Sequence, residues 1–251
     1  MTLAATLLAP LALALLAWAW SVRAGDASVV DIAWGGLVLS PALVTAWASP
    51  GPRAPVVLPL AAAWALRLAA YIAWRHRGQP EDKRYREIRA RNEPGFRWKS
   101  LYLVFGLQAL LAWVVAAPVA AAVASRRPWN ALDAIGLAVV ACGLVWEAVA
   151  DAQLARFKDD PSHAGRVMQD GLWRYSRHPN YFGECCLWWG FWLVALGAGA
   201  AWSGVSPLLM TVLLLKVSGV TLLERHLAAD RPGYAEYVRR TPAFLPGRPR
   251  P

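Results

Sequence analysis

The segment Gly171-Leu-Trp-Arg-Tyr-Ser-Arg-His-Pro-Asn-Tyr-Phe-Gly-Glu184 concentrates polar, basic and aromatic side chains and runs straight into the apolar stretch Cys185 to Trp202. Arg174, Arg177 and His178 precede Pro179. Proline, with φ fixed and no N–H to lose, favours the first turn of a helix. A helix beginning there turns its free N–H groups and positive dipole end toward those basic residues, which suits an anion. Asn180 and Glu184 share one face of that helix. Glu184 then lies inside the membrane boundary, where an ionisable group needs a partner or a water-filled cavity. The combination predicts a phosphate-bearing ligand held at a membrane surface.

A second polar stripe precedes this cassette. Glu147, Asp151 and Lys158 fall at helical spacings, with Arg156 nearby, so one face of their helix is polar to its end. Asp151 can accept from a ribose hydroxyl or an amide, and Arg156 and Lys158 suit phosphates; the same stripe can also serve as interhelical glue. Elsewhere in the chain, Asp31, Arg67, Asp133 and Lys216 stand in or beside apolar runs. A pairing of Asp31 with Arg67 between two helices is an expectation to test. Tyr71, one turn beyond Arg67, can donate a proton to a substrate carbonyl or hydrogen-bond a neighbouring helix.

The elements that must position these groups follow from composition. Of 251 residues, 57% are hydrophobic and 15 are Trp, and mean hydropathy is positive, which predicts an all-α integral membrane protein. About seven segments can cross a bilayer about 30 Å thick: Leu3 to Val22, Val29 to Ala48, Val56 to Trp74, Leu101 to Ala124, Leu132 to Leu154, Phe182 to Trp202 and Val205 to Leu223. The first lacks a basic leader region and a cleavage site, and reads as a retained helix. With no repeat or long linker, residues 1–251 read as one membrane domain, its cofactor cassette mainly 147–184.

Net charge +10 belongs to orientation in the membrane, not to nucleic acid. With the N-terminus outside, 21 basic residues face the cytoplasm, in Arg23, Arg75–Lys99, Arg156–Arg177 and Arg225–Arg250, against Arg53, Arg126 and Arg127 outside. The C-terminus is therefore expected in the cytoplasm. Pro80 to Trp98, Arg156 to Tyr181 and the tail from Glu224 fall on that side, and together predict a polar roof of loops and short interfacial helices. The three Cys lie in apolar segments as small buried residues, and neither they nor the scattered His have the spacing of a metal site. No Gly-x-Gly-x-x-Gly, Walker loop or Gly-x-Ser-x-Gly elbow is present, so any nucleotide must be held by helices and loops.

The cassette, preceded by Asp151-Ala-Gln-Leu-Ala-Arg-Phe-Lys158, resembles the steroid 5α-reductase superfamily, in particular its bacterial membrane branch. Val30-Asp-Ile-Ala-Trp-Gly35, Arg67-Leu-Ala-Ala-Tyr71, Glu81-Asp-Lys-Arg-Tyr85, Gln108 with Pro118, and Gly233-Tyr-Ala-Glu-Tyr237 extend the likeness over most of the chain. Related Arg-His-Pro cassettes occur in sterol reductases and isoprenylcysteine carboxyl methyltransferases. The resemblance implies a seven-helix bundle with an NADPH pocket and a cavity for a lipophilic substrate, steroid-like, isoprenoid or acyl, whose conjugated C=C receives hydride. Carried over by residue, it implies cofactor contacts from Asp151, Asn180 and Glu184, and phosphate contacts from Arg156, Arg177 and Arg67, with Lys158 and His178 also placed in the cofactor site. Tyr175, Tyr181, Asp82, Arg84 and Tyr85 would enclose the cofactor, and Asp31 and Tyr71 would assist catalysis. Trp64 stands near where steroid-reducing relatives carry a carbonyl-contacting tyrosine, and an indole N–H is a weaker acid than a phenol. The alternative is methyl transfer from S-adenosylmethionine to a lipophilic acceptor at the same cassette.

Overall fold

In hydrocarbon an apolar run has one simple solution, the helix, which pairs every backbone N–H and C=O within its own segment. The computed structural model describes residues 3–217 and 233–250, and among these no strand occurs. In chain order the helices are α1 (Leu3–Ala24), α2 (Val29–Ala48), α3 (Ala54–His76), α4 (Lys83–Asn92), α5 (Phe96–Val115), α6 (Ala117–Ala124), α7 (Ala131–Asp159), α8 (Pro179–Gly197), α9 (Ala201–Val217) and α10 (Tyr234–Arg240). By length and composition α1, α2, α3, α5 and α7 are able to cross a membrane, and α9 is a shorter apolar helix. Large apolar side chains on these helices, among them Leu16, Trp47 and Leu66, are exposed, as a bilayer solvent allows.

The expected sixth span corresponds to the 19-residue α8. The expected seventh is described to Val217; its continuation to Leu223, and the tail from Glu224 to residue 232, lie outside the described residues. The fourth differs in its limits. Helix α5 starts earlier, at Phe96, contains a wide π turn at Leu101–Gly106, and stops before Ala116. Pro118 is the cause: it lacks an N–H for a continuing ladder but fits the first turn of a new helix, α6.

The chain forms two compact units, Met1–Asn130 with Ala195–Ser206, and Ala131–Val194 with Pro207–Pro251. In the first, α2 packs against α1, α3, α5 and α6. Gly35 permits the α2–α3 contact: a Cβ there would lie 2.7 Å from the Ala65 carbonyl oxygen. At the far end of α2, the Gly51 N–H donates to Val123 O at 2.7 Å, and the fully buried Arg53 guanidinium donates to the carbonyls of Arg127 (2.7 Å) and Pro128 (3.0 Å). Arg53, counted in the sequence only for the side of the membrane it falls on, is thus a clasp between two turns.

In the second unit α7 and α8 run antiparallel in backbone contact. A Cβ on Gly143 would fall 2.7 Å from Gly183 O, one on Gly190 2.7 Å from Val140 N, and one on Gly136 2.8 Å from Gly190 O. The glycines recur two turns apart on both helices, so the seam is continuous. At 29 residues α7 is about 43 Å long, exceeding a bilayer core of about 30 Å, so its last turns can carry charge beyond the hydrocarbon.

Gly35 and Gly36 give a paired test, because a Cβ on Gly36 meets nothing within 4 Å. Gly36→Ala should leave the thermal midpoint in detergent unchanged or raise stability by up to about 1 kcal/mol. Gly35→Ala should lower it, by about 1–3 kcal/mol from overpacking. Equal effects would remove the close α2–α3 approach.

Candidate functional site

The glycine seam sets the geometry of the second unit's polar face. Glu147 and Asp151 lie one turn apart on α7 and Asn180 and Glu184 one turn apart on α8; Gly183 between the latter pair abuts the Glu147 backbone, with a Cβ position 2.7 Å from Glu147 N. Glu147, Asp151 and Glu184 are buried. Asn180 Nδ2 donates to Asp151 Oδ1 at 3.2 Å, while Asn180 Oδ1, closed to solvent, has no hydrogen-bond partner among the described residues. Pro179 opens α8 as the sequence predicts. Buried His178 stacks flat on Tyr181, with ring centroids 5.5 Å apart, and its backbone N–H donates to Ser176 Oγ.

The loop that carries this helix start is tied to α7. Trp173 Nε1 donates to Ala150 O at 3.0 Å, and the Leu172 N–H donates to Gln153 Oε1 at 2.9 Å. Gly171 adopts φ +60° against the Gln153 side chain, where any Cβ would collide. Arg156 and Lys158, on the last turn of α7, and Arg174 and Tyr175, on the cassette, are exposed.

Arg177 is engaged differently from the phosphate contact expected. Its Nη1 donates to the carbonyls of Val238 (3.0 Å) and Thr241 (2.7 Å), where helix α10 ends, and its backbone N–H donates to Pro242 O. The favourable site for a guanidinium at a helix C-terminus accounts for this choice. Four further bonds complete a clasp between cassette and tail: Tyr237 Oη to Trp173 O (2.5 Å), Ser176 Oγ to Phe244 O (2.8 Å), Gly247 N to Tyr175 O (2.9 Å), and Thr241 Oγ1 to Arg174 O (3.5 Å).

An apolar groove of about 310 Å³ lies on the same two helices, lined by Cys142, Trp146, Phe182 and Cys186 among others. Cys142, expected buried, is exposed on this face. Among the described residues no group of three His, Cys, Asp or Glu is arranged to hold a metal ion.

The first unit holds a separate ionic cluster around Asp31. Its Oδ1 accepts from Tyr85 Oη at 2.5 Å and its Oδ2 from Arg84 Nη2 at 2.7 Å. Arg67, the expected partner, is half-buried in mid-α3 and is not bonded to Asp31. Asp82 caps α4 by accepting from the Arg84 N–H (2.9 Å) and also from its Nε (3.0 Å). Gln108 Nε2 donates to Tyr85 Oη at 3.0 Å, and the Asp82 N–H donates to Ser28 Oγ at 2.8 Å. Gln108 and Ser28 carried no expected role, although a Gln inside the apolar run of α5 is a visible signal. Tyr71 is half-buried against Trp74 and under Arg75, with ring-centroid separations of 6.0 Å and 5.8 Å.

Burial and the adjacent Asp31 charge push the Tyr85 phenol well above its ordinary 10.0, keeping it protonated. Burial lowers the tendency of Arg84 to hold its proton, but Asp31 and Asp82 outweigh this and raise its pKa. Burial likewise raises the Asp82 carboxyl, yet the hydrogen bonds and charge of Arg84 prevail and hold it below its ordinary 3.8.

Site and fold together define an all-α integral membrane protein with buried ionisable groups in each of its two units. The chain belongs to the family described as protein of unknown function DUF1295, whose model matches residues 17–241. No curated protein and no solved structure matches it.

The depressed Asp82 carboxyl fixes the sign of an acid effect. Its stabilising contribution is complete above the unfolded value of 3.8 and is lost as pH falls through the lower folded value. Asp82→Asn should therefore be less stable than wild type at pH 6, and the gap should narrow toward pH 3, read as thermal midpoints across that range. A gap independent of pH would exclude the Asp82–Arg84 pair as its source.

Proposed function

We propose that this protein is a membrane-embedded reductase that uses NADPH to saturate a conjugated C=C bond of a lipophilic compound, steroid-like, isoprenoid or acyl. The observation that carries the reading is Asn180, whose Nδ2 is held by Asp151 while its Oδ1 is shielded and accepts nothing among the described residues. A buried acceptor left without a donor costs about 1–3 kcal/mol, which a ribose hydroxyl or a carboxamide N–H would recover. Exposed Arg156, Lys158 and Arg174 supply cations for phosphates, and the His178–Tyr181 stack supplies a flat surface. Arg177 drops out of the phosphate set because the tail carbonyls hold it. The donor set fits a dinucleotide, and the likeness to steroid 5α-reductases supports the same ligand.

When bound, NADPH supplies a hydride to the electron-poor carbon of the double bond, and a proton completes the neighbouring carbon. The chain's share is to orient the substrate carbonyl and donate a hydrogen bond to it as negative charge develops. Asp31 and Tyr71 remain the candidates to assist; Asp31 accepts from Tyr85 Oη at 2.5 Å and from Arg84 Nη2 at 2.7 Å, so its part is to orient donors and not itself to donate. Trp64 is buried and lacks a phenol, so a steroid is not required as substrate. The apolar groove beside Trp146 and Phe182 suits a hydrocarbon chain.

Buried Glu147, Asp151 and Glu184 favour one second reading, methyl transfer from S-adenosylmethionine, because three carboxylates would stabilise a sulfonium cation. Mass detection of small molecules retained by the protein in mild detergent separates the two. NADP(H) is expected, with Glu184→Gln and Asn180→Ala each lowering retention roughly tenfold, about 1.4 kcal/mol. Retention of S-adenosylmethionine or its demethylated product would establish the second reading, and unchanged retention in both variants would remove Asn180 and Glu184 from the site.

The reading includes an orientation: a bacterial inner-membrane protein with its N-terminus outside and C-terminus cytoplasmic, supported by the 21 to 3 division of basic residues. A cytoplasm-dependent reporter fused after Pro251 should be active and a periplasm-dependent one silent. The reverse pattern would overturn the orientation.

A further inference from the structure

We propose that the outward face of α4, with the aromatic ends of α1 and α5, binds the headgroups of anionic phospholipids. Helix α4 is the sequence Lys83-Arg-Tyr-Arg-Glu-Ile-Arg-Ala-Arg-Asn92. Its basic residues divide into those the fold engages and those left exposed. Arg84 is bonded to Asp31 and Asp82, and Arg89 is bonded to Glu81 at 2.7 Å, donates to Gly25 O, and lies 4.6 Å over the Phe96 ring. Lys83, Arg86 and Arg91 are exposed. Among the described residues Lys83 and Arg86 make no ion pair, and Arg91 meets Glu87 only at 3.8 Å on the surface, a contact of little strength. Three cations beyond what the fold needs are therefore exposed along α4.

The neighbours of that face determine the kind of partner. Trp98, 62% exposed, packs tilted against Trp18, with ring centroids 5.4 Å apart, and lies under the exposed Arg97 guanidinium at 5.3 Å. Trp18 Nε1 donates to Arg97 O at 3.0 Å, so the last turns of α1 are joined to the first turn of α5. Trp20 and Tyr102 are also exposed at the same helix ends. Exposed Trp and Tyr at the ends of apolar spans occupy the headgroup level of a bilayer. Lys99 Nζ donates to Asn92 O, tying the end of α4 to this aromatic rim. The surplus cations are thus held at the depth of lipid phosphates, with apolar side chains directly below. That charge complementarity selects an anionic headgroup, whereas a soluble anion would have no use for the exposed rings.

The test is native mass spectrometry of the full protein in detergent, titrated with phosphatidylglycerol or phosphatidylcholine of identical acyl chains. Wild type should retain phosphatidylglycerol over phosphatidylcholine, and the triple variant Lys83→Gln, Arg86→Gln, Arg91→Gln should lose about tenfold or more of that preference, given the contribution of each basic residue near an anionic surface. Trp98→Ala should weaken retention of both lipids. A control triple variant at exposed basic positions elsewhere, Arg126→Gln, Arg240→Gln, Arg248→Gln, should keep the preference. Equal retention of the two lipids by wild type, an unchanged preference in the α4 variant, or an equal loss in the control would each overturn the site. Displacement of phosphatidylglycerol by soluble glycerol phosphate at comparable concentration would also overturn it, showing that a free phosphate ester is bound.

Discussion

When two helices meet at glycine, the backbone of one occupies the space that the other's side chains would fill. In α7 and α8 this contact repeats at Gly143 with Gly183 and at Gly136 with Gly190, and the position of every polar group on both helices follows from it. With the axes so close, residues flanking the seam are pressed against the partner helix. Glu147 and Asp151 on one side, and Asn180 and Glu184 on the other, are drawn out of solvent whether or not their chemistry favours it. Lipid offers little hydrophobic drive for helices to associate, so close van der Waals contact between small residues supplies the adhesion, and buried polar groups are what that adhesion can carry.

The first unit meets the same cost by pairing. Asp31 sits at the start of α2, near the hydrocarbon, and Arg84 and Tyr85 from α4 cover both of its oxygens. Asp82 then orients Arg84 while capping the helix, and Gln108 returns a donor to the phenol. Asp31, Asp82, Arg84 and Tyr85 each make more than one bond, and a network satisfied in this way also specifies how α4 docks. The α4 sequence looks uniformly charged, yet its inner face is as structurally engaged as an apolar one.

Much of the architecture was legible because hydrocarbon permits so few backbone solutions. The apolar runs became helices, Pro179 opened α8, and Glu147 and Asp151 lie on one helix, a turn apart, as the spacing indicated, while the bond from Asn180 to Asp151 was not read from it. Partner choice was not legible. Asp31 was expected to find Arg67 on the next helix, but the loop after α3 is long enough to return α4, and its Arg84 and Tyr85 reach the carboxylate instead. Arg177 looked like a phosphate ligand because local sequence shows a cation beside a helix start; the carbonyls it serves lie 61 and 64 residues away. The break before Pro118 was readable in hindsight, since its missing N–H is a purely local fact.

The clasp between cassette and tail has a consequence for the order in which the molecule is made. Synthesis runs from N- to C-terminus, and the loop holding Ser176 and Arg177 emerges well before the segment that supplies Val238, Thr241 and Phe244. Until those carbonyls arrive, the guanidinium of Arg177 and the hydroxyl of Ser176 lack the acceptors they have in the finished fold. The membrane helices can therefore be in place while the cassette is still open, and the closing contacts carry the loop-closure cost of a long intervening stretch. The cassette can therefore close only once the segment that supplies Val238, Thr241 and Phe244 has been made.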